Sequence, residues 1–164
     1  MKFIHFKTTL FIFSFISFFS CNNSNVDIDL AEKEATEFIK NQFSFWENNN
    51  YEEAENYFDS DAVLIGTDAS EYLSSWEEIG PSIAQQLETL QDVKFEQKKL
   101  IINLSKCGDM AAFTSITNFK GYGEEESFNI ENIRSSGVVK KTNGQWKMTQ
   151  IHWSIGSVDQ LVKY

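Results

Sequence analysis

Apolar side chains recur at Ala31, Ala35, Phe38, Ile39, Phe43 and Trp46, in steps that lay a stripe along one side of a helix. Asp29 followed three residues later by Glu32 suits a capped start, and Asn48-Asn49-Asn50 suits a stop. A shorter helix follows, with Tyr51, Ala54, Tyr57 and Phe58 on one side. Residues 62–66 (AVLIG) read as a short strand, and Asp68-Ala69-Ser70-Glu71 as a single helical turn. Gly80-Pro81 predicts the start of a third helix through Ile83, Ala84, Leu87 and Leu90, because proline is tolerated in a first turn and costly further inside.

Beyond residue 92 the apolar period shortens, and 95–104, 110–119, 127–141 and 145–155 read as four strands. The turns between them are Lys106-Cys107-Gly108-Asp109, Gly121-Tyr122-Gly123 and Asn143-Gly144, the last a strong hairpin signal. Helices first and a meander afterwards predict an α+β domain with the helices on one face of a sheet. In the last strand, simple alternation puts Trp146, Met148, Gln150, His152 and Ser154 on one face and Thr149, Ile151, Trp153 and Ile155 on the other. Neither set is wholly polar, so both faces are expected to be covered.

The first twenty residues are a different kind of sequence. Lys2 and Lys7 precede an apolar run, and this stretch holds seven of the chain's 15 phenylalanines. A charged start and a short apolar run define an export signal, too short for a membrane span. The run stops at Ser20-Cys21, before Asn22-Asn23-Ser24-Asn25. There it resembles a bacterial lipoprotein signal, which implies lipidation of Cys21 and an exported, membrane-anchored protein on the periplasmic side or cell surface. The divisions expected are a signal over 1–20, a lipidated cysteine and tether over 21–27, a domain over 28–158 and a tail over 159–164. An ordinary cleaved signal is the alternative. A thioether at Cys21 leaves Cys107 alone, whereas an exported setting also permits a disulfide between the two.

Removing Lys2 and Lys7 from 14 basic residues leaves 12 against 24 acidic ones, a balance of −12. That excludes nucleic acid and anionic membrane as electrostatic partners, so the membrane contact is expected through the lipid alone. His5 and His152 give no metal-ligand spacing, and no phosphate loop, nucleophile elbow or Cys-X-X-Cys occurs. No metal and no cofactor is expected.

The order α-α-β-α-β-β-β-β, with Phe43…Trp46, the segment 61–68 (DAVLIGTD) with Glu71 after it, and the closing Gly144-Gln145-Trp146…Gln150-Ile151-His152-Trp153-Ser154, resembles the SnoaL-like branch of the nuclear transport factor 2-like superfamily over about residues 30–156. The resemblance implies a cone, a curved antiparallel sheet wrapped around N-terminal helices, dimerised through the outside of the sheet. It does not assign chemistry, since that superfamily mixes enzymes with non-enzymes.

With the His152 face turned into the cone, His152 and Asp68 become candidates for acid and base. Their plain alternatives are a hydrogen-bonded wall for His152 and a backbone cap for Asp68. Arg134, the one arginine of the chain, could clamp a carboxylate or pair with a surface acid. Asn118, Ser136 and Gln150 would add polar walls, and Trp46, Trp76 and Phe113 apolar ones. The expected function is an envelope-tethered module binding a small apolar or carboxylated molecule. Two alternatives stand beside it: a proton-transfer enzyme of isomerase, dehydratase or cyclase type using His152 and Asp68, and a structural dimer with a filled cavity.

Overall fold

The computed structural model describes residues 26–156; the signal, tether and tail expectations lie outside them. Helix α1 (Ile28–Lys40) is capped by Asp27, whose side chain accepts from the Leu30 N–H at 3.0 Å, two residues earlier than the cap expected at Asp29. A 3₁₀ turn (Asn41–Phe43) breaks the long apolar stripe, and α2 (Ser44–Glu47) and α3 (Tyr51–Tyr57) complete the helical layer. The third predicted helix begins earlier than its proline suggested. Helix α4 spans Trp76–Thr89 with Pro81 inside it. Burial of Ile79 and Ile83, 0% and 1% exposed, offsets the hydrogen bond that Pro81 cannot donate.

Strands β1 (Phe58–Ile65), β2 (Tyr72–Leu73), β3 (Gln91–Leu104), β4 (Met110–Tyr122), β5 (Ser127–Thr142) and β6 (Gln145–Ser154) form one open sheet in the order β2-β1-β6-β5-β4-β3. The class is α+β as expected, but the sheet is mixed rather than antiparallel, because β1 runs parallel to β6. An extra residue at Lys98, a pair at Glu131-Asn132 and one at Thr149 shift the registers of the four long strands. Such bulges bend a strand, and together they curl the sheet around the helices.

Register fixes the inner face row by row. Ile102, Phe113, Gly137 and Ile151 form one row; Leu100, Ser115, Ser135 and Trp153 the next; Gln97, Thr117 and Ile133 a third; Phe95, Phe119 and Ile130 a fourth. The core lies between these rows and Ile39, Phe45, Ile79 and Ile83 of the helices. Cys107 sits in the β3–β4 turn and is disulfide-bonded.

At the other end of the sheet, Lys141 Nζ donates to Glu34 Oε2 at 2.6 Å and lies 5.8 Å from the centre of the Trp146 ring, clasping α1 to β5 and β6. The Lys141 hydrogen bond holds the Glu34 carboxyl below its ordinary 4.5. A depressed folded pKa contributes stability above the unfolded value and loses it as pH falls. The melting temperature of Lys141→Met should therefore trail wild type at pH 7, with the gap closing as pH drops through and below 4.5. Matched thermal melts across that range check it.

Candidate functional site

A cavity of about 280 Å³ opens between the helices and the inner face of the sheet. Its apolar wall is mainly aromatic. Phe95 lies between Phe43 and Phe119, with ring centres 4.2 and 4.3 Å away and nearly parallel planes. Trp46 and Trp153 meet at 5.3 Å and 58°. Leu90 just after α4, Ile130 and Ile133 from β5, and Ile155 beyond β6 close the rest. The Trp46 indole is pinned, since its Nε1–H donates to Gln86 Oε1 at 3.1 Å.

Polar groups on the wall are few. Thr67 and Glu71 come from the turn after β1, Gln86 from α4, Thr117 from β4 and Ser135 from β5. Glu71 is held by its own turn, accepting the Asp68 N–H at 3.0 Å. It also lies against Gly66, where any Cβ would stand 2.0 Å from Glu71 Oε2; this glycine lets the carboxylate fold back against β1. On the sheet floor, Ser115 Oγ is 2.8 Å from Ser135 Oγ and 3.4 Å from Thr117 Oγ1, all three being buried. Trp153 Nε1 is buried without a hydrogen-bond partner.

The candidates from sequence fall in three places. Trp46 lines the cavity. Phe113 is core, 2% exposed, one row below the hydroxyls, and Trp76 packs on Phe58 and Tyr51 away from the cavity wall. His152, Arg134 and Ser136 line a shallow groove on the opposite face of the sheet, with Lys99, Ile101, Thr114, Ile116 and Ser154. Exposed Gln150 shares that outer face.

This inverts the expected orientation of the last strand, for a local reason. Val138 pairs with Gln150 and Val139 with Met148, so Thr149 is an extra residue and the alternation changes phase there. Trp146 and Met148 face the helices before the bulge, as predicted; Ile151 and Trp153 do so after it. Asn118 belongs to a similar irregularity, its Oδ1 accepting from the N–H of Asn132, which has φ +58°.

Asp68 is not drawn into the cone. Its Oδ1 accepts from Ser70 Oγ at 2.6 Å and Ser70 N–H at 2.8 Å, and these two bonds hold its pKa below the ordinary 3.8. That is the capping role, reciprocated by Glu71. Sequence reasoning noted Glu71 as part of this turn but missed it as cavity wall. The signal was Gly66 five residues before it, where the strand can be approached closely. Among the described residues no group of three or more His, Cys, Asp or Glu side chains could hold a metal.

The chain belongs to the SnoaL-like domain family, whose model matches residues 35–157. Its fold recurs in solved structures at low identity. A nuclear transport factor 2 (NTF2-like) superfamily protein from Salmonella enterica serovar Typhimurium shares 14% identity, with 83% of this chain and 99% of that one covered and a TM-score of 0.71. A protein from Novosphingobium aromaticivorans, provisionally named a scytalone dehydratase, shares 14% over 84% and 93%, with a TM-score of 0.70. An NTF2-like protein from Cytophaga hutchinsonii shares 16% over 76% and 97%, with a TM-score of 0.62. No curated protein matches in sequence.

Proposed function

We propose that this SnoaL-like domain binds a small, flat, largely apolar molecule in the cone. The supporting observation is the 280 Å³ cavity walled by Phe43, Trp46, Phe95, Phe119 and Trp153. A cavity of about 150 Å³ suffices for benzene, so two fused rings are the natural size here. The carboxylated ligand expected from sequence rested on Arg134, which sits on the other face. Among the described residues no Lys, Arg or His lines the cavity, and the one charged side chain on its wall is the carboxylate of Glu71. Quenching of the Trp46 and Trp153 emission by a neutral two-ring compound, with saturation at one site per chain, tests the reading; no saturable quenching removes it.

Glu71 favours a second reading, proton transfer, with this carboxylate in place of the His152–Asp68 pair. A carboxylate on an apolar wall can take a proton from carbon beside a carbonyl. Incubation of 2-tetralone in D2O, followed by proton NMR, should show α-exchange faster than buffer that is lost in Glu71→Gln. Exchange equal in both proteins leaves the domain a binder.

The outer face is the proposed dimer surface. Rows of short side chains there, including Thr114, Ser136 and Ala112, surround Ile101, which is 60% exposed. Ile101→Asp should convert a dimer to a monomer in light scattering while leaving the melt cooperative. A wild-type monomer ends the dimer reading.

Export with anchoring through Cys21 is proposed from the N-terminal sequence. Cys21→Ser should release the protein from membranes. Membrane association that survives Cys21→Ser removes the anchor.

A further inference from the structure

We infer that the cavity selects an uncharged molecule bearing a carbonyl oxygen, which it receives on the Ser115–Ser135–Trp153 row. This rests on the cavity being a binding site, as proposed above, and adds which functional group the site reads.

The inference comes from counting donors. Three hydroxyls meet on the floor: Ser115, Ser135 and Thr117. Each carries one O–H, and their two mutual contacts use two of the three protons whichever way they point. One hydroxyl proton is therefore left over. The buried Trp153 indole N–H, on the residue paired with Ser135 in the next strand, is left over as well. Gln97, paired with Thr117, buries an amide nitrogen that also lacks a partner. Buried donors are nearly always satisfied, and leaving one unpaired is destabilising. Of these residues Thr117, Ser135 and Trp153 line the cavity, with Ser115 and Gln97 beside them in the same rows, and surplus donors there describe a missing acceptor.

Charge decides what kind of acceptor it is. A carboxylate would gain the same hydrogen bonds, yet among the described residues it would meet no cationic side chain on the cavity wall, and Glu71 is already there. Burying an unpaired anion is far costlier than burying a neutral carbonyl. A ketone, aldehyde, ester or amide oxygen satisfies the donors without that penalty. A hydrocarbon of the same shape fills the space and leaves them unsatisfied.

Three probes with one ring system separate these cases: 2-acetylnaphthalene, naphthalene and 2-naphthoate, titrated calorimetrically or by tryptophan quenching into the folded protein. The ketone should bind at least ~10-fold tighter than naphthalene and at least ~100-fold tighter than the carboxylate, each being one to two powers of ten in Kd. Ser135→Ala and Trp153→Phe should each weaken the ketone several-fold and leave naphthalene almost unaffected. Naphthalene binding as tightly as the ketone would mean that ordered water already satisfies the donors, and that result overturns the inference while leaving the cavity a binding site. Tightest binding by 2-naphthoate overturns it too. If none of the three binds, the underlying reading of the cavity falls with it.

Discussion

Gly137→Ala should destabilise the domain by about 3 kcal/mol and lower its melting temperature by roughly 10 °C. Gly137 stands in the middle of β5, opposite Ile151 on β6 and Phe113 on β4. A Cβ there would lie 2.4 Å from the Gln150 carbonyl oxygen and 2.7 and 2.9 Å from two atoms of the Phe113 ring. The ring is 2% exposed and cannot swing away, and the carbonyl belongs to the neighbouring strand. Either β5 and β6 separate or Phe113 rises into the row above, where Ser115, Ser135 and Trp153 lie. Glycine in a strand interior normally weakens it; here it admits the close approach on which the row spacing depends. Gly123→Ala supplies the control, since its added Cβ meets nothing nearer than 3.8 Å and should change stability by no more than about 0.5 kcal/mol. Paired chemical denaturation curves decide it, and equal midpoints for the two variants would refute the packing argument.

The same stretch of sheet shows where sequence reasoning stopped. The four long strands, their turns and the amphipathic helices were legible, because apolar periodicity and the Asn143-Gly144 hairpin determine them locally. Which face of β6 enters the cone was not. One extra residue at Thr149 changes the phase of the alternation, and in Met148-Thr149-Gln150 there is no glycine or proline to announce it. Simple alternation therefore turns His152 and Gln150 inward and Trp153 outward, the reverse of their positions; Arg134 and Ser136 of β5, expected as pocket walls if the registers allow, are on the outer face as well, and Ser135 between them takes the inner one. Helix α4 departs from the expectation for the opposite reason. Pro81 is a conspicuous signal, but the helix already begins at Trp76 and burial of Ile79 and Ile83 outweighs it. Asp68 admits two readings from sequence, and its bonds to Ser70 select the cap. The neighbouring Glu71 owes its place on the wall to a contact with Gly66 that no helix or strand periodicity encodes.

Ile133→Trp should abolish measurable binding of a two-ring ligand, lowering affinity by at least ~100-fold, about 2.7 kcal/mol. It should hold or raise the melting temperature, as cavity-filling substitutions commonly do. Ile133 is half-buried and lines the cavity from β5, directly opposite Thr117 on β4. An indole at that position extends across the floor toward Trp46 and Trp153 and occupies space the ligand would need. The direction of the two effects matters more than their size. A variant that merely unfolds loses binding and stability together, whereas a filled cavity loses binding alone. The rival site is the outer groove, where Arg134 and His152 face solvent and could hold an acidic ligand. Arg134→Gln is the matching variant there. If ligand affinity survives Ile133→Trp and fails in Arg134→Gln, the ligand belongs to the outer face, and the aromatic cone is the scaffold that supports it. If it fails in Ile133→Trp and survives in Arg134→Gln, the inward-facing row of Ser135 and Trp153 is the side of the sheet that recognises it.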